Sequence, residues 1–300
     1  MATDLTIPYI DRSSGQLCRE RVYADRFLNW SYNTRLGWAV TRVVFSHPLL
    51  SRLYGWTQRQ SLSRKRIVPF VRQMGVDCAE LVQPLKTFGN FSEFFERRIN
   101  LSQRPIATDP GTCIAPVDGK VLGYQTVNLQ TTLRVKRHQF SLESFLKDRA
   151  LGCQYDGGSV VICRLCLADY HHIHFPDSGL PHRPEIINGS LYAGGPYALR
   201  RRVPFYAENL RMITPFDSDH FGRIIMVEVG AFTVGSIQQR FDAGEPVQKG
   251  NHKGFFELGG STVVLLFKPN TIRLDNDLCA NTSRGLETRV LMGESIGKAN

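Results

Sequence analysis

The chain predicts an α+β fold, with a helical N-terminal region followed by a β-rich body. Apolar residues recur at helical spacing as far as about residue 110, and from about Ile114 they fall into short β-type runs. Gly and Pro separate those runs. Helices followed by a succession of strands is the pattern of an α+β protein, divided here into residues 1–110 and 111–300.

Tyr23, Phe27 and Trp30 make one helical stripe, and Leu36, Val40 and Val43 make another. The two are out of phase, which predicts a break near Ser31–Thr34. His47-Pro48 predicts a stop. A third helix runs from about Ser63 to Met74, with Ile67, Phe70, Val71 and Met74 on one face and Gly75 at its end. A short fourth begins near Asn90, where Glu93 completes a capping pattern, and Pro105 closes the region. Strands are predicted at Lys120–Val127, Ser159–Leu165, Ile224–Val229, Phe232–Ile237 and Ser261–Phe267; Ser141–Lys147 is the one helix expected in this half.

With 300 residues, 42% of them apolar and 21% charged, the composition excludes a disordered chain, a collagen and a coiled coil. The net charge is +10, and residues 1–110 hold 16 basic against nine acidic side chains. That excess calls for a polyanionic partner, either nucleic acid or an acidic membrane surface. The seven cysteines include one close pair, Cys163 and Cys166, with no second pair to complete a zinc set, so reduced thiols are expected. The first residues lack the pattern of a signal peptide, and no apolar run reaches the ~18 residues a membrane span needs. A soluble or peripheral protein is expected.

Three segments hold residues suited to chemistry. In Ala115-Pro116-Val117-Asp118-Gly119-Lys120, Asp118 sits in a turn pattern, where a solvated aspartate is the commonest outcome. In Asp169-Tyr170-His171-His172-Ile173-His174-Phe175-Pro176, three histidines fall within four residues, and histidine is the usual acid or base near neutral pH. An extended backbone puts His172 and His174 on one face, whereas a turn brings His171 and His174 together; the spacing fits no HExxH metal site. In Leu258-Gly259-Gly260-Ser261-Thr262, two glycines clear the approach to the Gly260 carbonyl ahead of a serine and an apolar strand. Taken alone, that segment reads as a hairpin turn. Together the three supply Asp, His and Ser, the types of a nucleophile, base and orienter set, and there is no GxSxG elbow.

In combination these motifs resemble the phosphatidylserine decarboxylase proenzymes. The resemblance runs through Tyr54-Gly55-Trp56, Phe91–Arg97, Arg104-Pro105-Ile106, Pro116–Gly119, Asp169–Pro176, Val234–Ile237 and Gly259–Thr262. One departure is Arg137 after Lys136, where the family often has glycine. The resemblance implies self-processing: Ser261 attacks the Gly260 carbonyl to give an ester, β-elimination releases the upstream chain and leaves a dehydroalanine at 261, and water hydrolyses its imine tautomer to a pyruvoyl group and ammonia. Chains 1–260 and 261–300 would form a heterodimer. It further implies a Schiff base between the pyruvoyl group and the amine of phosphatidylserine, loss of CO₂ and release of phosphatidylethanolamine, with no metal.

On this reading His174 is the base for Ser261, Asp118 holds its tautomer, and His171 returns the proton in the mature reaction. His172 has no role. The β-rich body is then catalytic and the basic, aromatic N-terminal region faces a membrane. Trp30, Trp38, Trp56, Tyr32 and Tyr54 interleave there with Arg26, Arg35, Arg42, Arg52 and Arg59. The expected partner is an anionic membrane surface and not nucleic acid, with the protein peripheral on the cytoplasmic face of a bacterial cell membrane. A hydrolase acting on an external ester and a non-enzymatic basic binding protein are the competing readings of the same residues.

Overall fold

The computed structural model describes residues 8–23, 25–41, 48–128, 133–135, 138–191, 208–231, 237–258 and 261–300. Gly259, Gly260, Val234–Ser236, Lys136 and Arg137 therefore lie outside the described residues, and nothing is described of the Ser261 side chain.

The helices of the first third are α1 (Asp25–Asn33), α2 (Arg35–Val40), α3 (Pro48–Gln58), α4 (Ile67–Met74) and α5 (Phe91–Phe95). The break between the first two stripes is a cap: the Thr34 side chain accepts from Gly37 N and starts α2. Gly75 ends α4 in the left-handed conformation, at φ 71°. The Asn90 side chain caps α5 by accepting from Glu93 N. Residues 42–47, and with them His47 of the expected stop, lie outside the described residues; Pro48 is the first residue of α3, a position where its missing N–H costs nothing. Three further helices follow: α6 (Leu142–Leu146), α7 (Arg149–Gln154) and α8 (Asn276–Ser283). The last two were not expected, because both are short and too polar to show a stripe.

The strands that build the site and its scaffold are β1 (Pro8–Asp11), β2 (Leu17–Arg19), β3 (Gly119–Val127), β4 (Gly158–Leu165), β5 (His172–His174), β6 (Gly179–Pro181), β7 (Glu185–Ile187), β8 (Arg211–Ser218), β9 (Gly222–Val229), β10 (Ile237–Gln239), β11 (His252–Phe256), β12 (Ser261–Phe267) and β13 (Glu287–Val290). The large sheet has the order β7-β8-β9-β12-β4-β3-β13-β1-β2, with β6 also on β8. A second sheet runs β10-β11-β5, and a third joins Thr112–Ile114, Ile272–Leu274 and Ser295–Ala299.

The N-terminal region is thus not helical throughout. Its first described residues are β1 and β2, and β1 pairs in parallel with β13. A three- or four-residue edge strand is stabilised by its partner, here almost the full chain length away, so no local period announces it.

β4 and β12 are antiparallel neighbours at the centre of the sheet, with Ser261 opposite Leu165 and Phe267 opposite Ser159. Strand alternation sends Val160, Ile162, Val264 and Leu266 to one face, where Leu142, Phe145 and Leu146 of α6 cover them. Val161, Cys163, Leu165, Val263, Leu265 and Phe267 go to the other, under Ile173, Phe175, Ile237 and Phe256 of the second sheet and its flank. Both faces are buried, which is why these strands read as continuous apolar runs. A separate cluster of Ile67, Phe70, Met74, Phe88, Phe91, Phe94 and Phe95 holds α4 and α5 together and takes in Leu258.

Among the described residues no helix is long and apolar enough to cross a membrane. Phe27, Trp30, Leu36, Leu53, Tyr54 and Trp56 of α1–α3 are exposed, whereas Trp38 packs on the core beneath α6.

Candidate active site

Asp118 ends the turn that feeds β3. The next residue has to be glycine, since a Cβ at 119 would lie 2.9 Å from the Arg164 carbonyl oxygen. Asp118 is buried and accepts a forked pair of bonds from Arg104, Nε to Oδ1 at 3.0 Å and Nη2 to Oδ2 at 2.8 Å. Its Oδ1 also accepts from Met292 N at 2.8 Å, and Arg104 reaches on to Glu80. Burial raises the Asp118 carboxyl and the Arg104 guanidinium opposes it. Burial prevails, so the Asp118 carboxyl lies above its ordinary range, while two N–H groups of Arg104 and one amide on its oxygens hold that rise back.

The histidine segment lies beside that turn: His174 N donates to the Pro116 carbonyl at 2.8 Å and Ile114 N to the Pro176 carbonyl at 3.0 Å. β5 is extended, so His172 and His174 share a face, and the His252 ring lies 4.9 and 5.5 Å from their centroids. His174 Nδ1 is 2.8 Å from the Gly250 carbonyl, which can only accept. The proton is therefore on Nδ1, and Nε2 is the basic nitrogen, taking the Tyr170 hydroxyl at 3.3 Å. Burial lowers the His174 pKa, against the Gly250 bond and the Asp118 charge, so the ring is neutral.

This geometry separates two roles that the sequence placed in one pair. The hydrogen bond that fixes the His174 tautomer comes from Gly250, while Asp118 is committed to Arg104 and Met292 and acts on His174 through its charge.

His171 is fully buried, its ring 4.1 Å from Phe95 by centroids, with Nε2 donating to the Cys166 carbonyl at 3.0 Å. Burial, and then the Arg97 charge, push it down to about 3. Cys166 belongs to the loop that follows Leu165, the register partner of Ser261, so the three segments converge at one end of the central strands. His172 is pinned in place: Nε2 donates to the Glu96 carbonyl at 3.1 Å and Nδ1 accepts from His252 Nε2 at 2.8 Å.

Sequence reasoning missed several supports. Arg97 donates from Nη2 to the carbonyls of Ala168 and Asp169, bracing the loop ahead of the histidines. Lys120 pairs with Asp169 at 3.0 Å; burial opposes the Asp169 charge, yet Lys120 and the Cys166 amide bring its carboxyl down to about 2. A polar cleft of about 510 Å³ reaches Asp118 and Tyr170 from this side and is also lined by Arg21, Arg97, Lys120 and Asp169. Tyr170 was visible inside the histidine motif. His252 and Gly250, nearly 80 residues away, carried no local signal.

Two neutral buried histidines and an ion-paired carboxylate, gathered at a strand that opens on serine after two glycines, make an acid–base enzyme site. The sequence pattern of the phosphatidylserine decarboxylase family matches residues 91–298. Over 291 residues the chain is 40% identical to the phosphatidylserine decarboxylase proenzyme of Chlamydia pneumoniae, covering 97% of each. It is 41% identical to that of Chlamydia caviae over 293 residues, covering 98% of each. The chain belongs to the phosphatidylserine decarboxylase family.

Proposed function

We propose that the chain is made as a proenzyme, cuts itself between Gly260 and Ser261, and then converts phosphatidylserine to phosphatidylethanolamine and CO₂ at a pyruvoyl group derived from Ser261. The observation that carries this reading is the convergence of the three segments, in which His174 presents a basic Nε2 and its backbone bonds the turn of Asp118. The donor set fits a pyruvoyl group, because such a group is made from a serine whose proton a neutral base removes. That group supplies the electron sink for loss of the carboxylate.

The chain's own residues do the rest. His174 Nε2 takes the Ser261 hydroxyl proton, and the Asp118 charge stabilises the imidazolium that results. His171, beside Phe95, is assigned the return of a proton to the substrate carbon after CO₂ leaves, by taking up a proton and passing it on, so that the ring ends neutral as it began. Chains 1–260 and 261–300 stay together as a heterodimer. The exposed Phe27, Trp30, Leu53, Tyr54 and Trp56 support docking of the N-terminal helices on an anionic membrane surface, in keeping with a peripheral protein at the cytoplasmic face of a bacterial membrane.

CO₂ release from vesicles containing phosphatidylserine tests the reaction. The wild-type protein is expected to release it and Ser261→Ala to be uncut and inactive; equal turnover by the two contradicts the reading. Vesicle binding is expected to rise with anionic lipid and fall with salt. Equal binding to neutral and anionic vesicles at low salt contradicts the docking.

A further inference from the structure

We propose that Glu257 and Leu258, docked on the N-terminal helices, clamp the upstream side of the Gly260–Ser261 bond in position for self-cleavage. The inference rests on the cleavage reading above and names positioning residues for it. The downstream side is fixed by the large sheet: Ser261 is in register with Leu165, and Thr262 with both Arg164 and Val229. The upstream side is fixed by a different body. β11 ends at Phe256, whose N–H donates to the His171 carbonyl at 3.0 Å. Glu257 Oε2 then pairs with Arg59 at 2.6 Å, and its Oε1 accepts from Gln238 Nε2 at 3.1 Å. Leu258 is 6% exposed and belongs to the α4–α5 cluster, whose other buried members all come from residues 67–95.

Leu258, two residues ahead of Gly260 in the chain, is thus held by the N-terminal helices, and the backbone of Ser261 by the main sheet. Attack needs the reacting atoms within about 3–3.5 Å, a condition that a shift of about 1 Å is enough to spoil. Only Gly259 and Gly260 separate Leu258 from Ser261, so movement of the Leu258 anchor is passed to the scissile bond over a reach of about 3.6 Å per residue. Once the bond is cut, the anchor has no further bearing on Ser261. Loss of the clamp therefore slows cleavage and leaves turnover by the cleaved protein unchanged, a split that general damage to the fold does not produce.

The test is a time course of cleavage of freshly synthesised full-length chain, followed by CO₂ release per cleaved molecule. Leu258→Ala is expected to cleave about tenfold more slowly and Glu257→Gln about threefold, each with wild-type turnover once cut. Should Leu258→Ala misfold, Glu257→Gln, with its partly exposed carboxylate, still decides the matter. Arg59→Glu should also slow cleavage, and Arg59→Glu with Glu257→Arg should recover it, since the Gln238 amide can turn to present its oxygen. Wild-type cleavage rates in the single variants, no recovery of cleavage in the double variant, or turnover reduced in parallel with cleavage in Leu258→Ala and Glu257→Gln overturns the clamp. A wild-type chain that never cleaves overturns the underlying reading instead.

Discussion

His171 and His174 of the motif lie in different surroundings, and the proposed function assigns them different proton transfers. His174 has its tautomer fixed by Gly250 and its basic Nε2 beside Tyr170, while His171 is enclosed under Phe95. His174→Ala and Asp118→Asn are therefore expected to accumulate uncut chain, whereas His171→Ala should cut and then turn over at least ~10²-fold slower. Gel analysis with CO₂ release separates these outcomes; cleavage by His174→Ala together with a block in His171→Ala reverses the assignment. His172 has no role in either proton transfer on this reading, yet both of its ring nitrogens are bonded. Its removal orphans the Glu96 carbonyl and His252 Nε2 in a buried site, so His172→Ala should cost about 2 kcal/mol and lower the melting temperature. An unchanged melting temperature contradicts that. The sequence revealed which residue types gather; it could not reveal which partner each would take. Asp118 was legible as a site residue, but the bonds that commit it come from Arg104 and from Met292, 174 residues away.

At the level of elements, β5 and β11 are antiparallel neighbours in one sheet, with His252 in register with His174, and burial holds the histidine rings neutral. Burial lowers His172 and His252 to about 4, and His171 to about 3, from 6.5. The unfolded chain therefore binds protons first as pH falls. These groups leave stability intact above about pH 6.5, and it is lost progressively as pH falls toward 4 and then 3. Urea melts of uncut Ser261→Ala across that range should show the midpoint dropping, and dropping less in His252→Gln; a midpoint independent of pH contradicts the burial account. Elements whose stability lies in their own stripe, such as α4, or in a run buried on both faces, such as β4 and β12, were legible from the chain. β1 and the strand pair β5–β11 were not, because each exists through a partner remote in sequence, and β2, only three residues long, pairs with β1 alone. Pro48 also opens a helix, α3, that the chain's periodicity did not announce.

In the whole molecule, a cut at Gly260–Ser261 divides the chain without dividing the fold. The last 40 of the 300 residues supply β12, flanked on both sides by β9 and β4, together with α8 and β13. Arg164 bonds Glu287 across the cut at 2.7 Å, Arg12 bonds Asp275 at 2.8 Å, and Arg289 bonds Asp11 at 3.0 Å. Both pieces should co-elute in native gel filtration and part only in denaturant; release of the small piece in native buffer contradicts this. The central claim, that this chain makes its own prosthetic group, is tested most directly by the intact mass of an active preparation. The account predicts a 260-residue chain and a 40-residue chain that begins at position 261 with a blocked, pyruvoyl terminus. A single unbroken chain of 300 residues with full decarboxylase activity would contradict it.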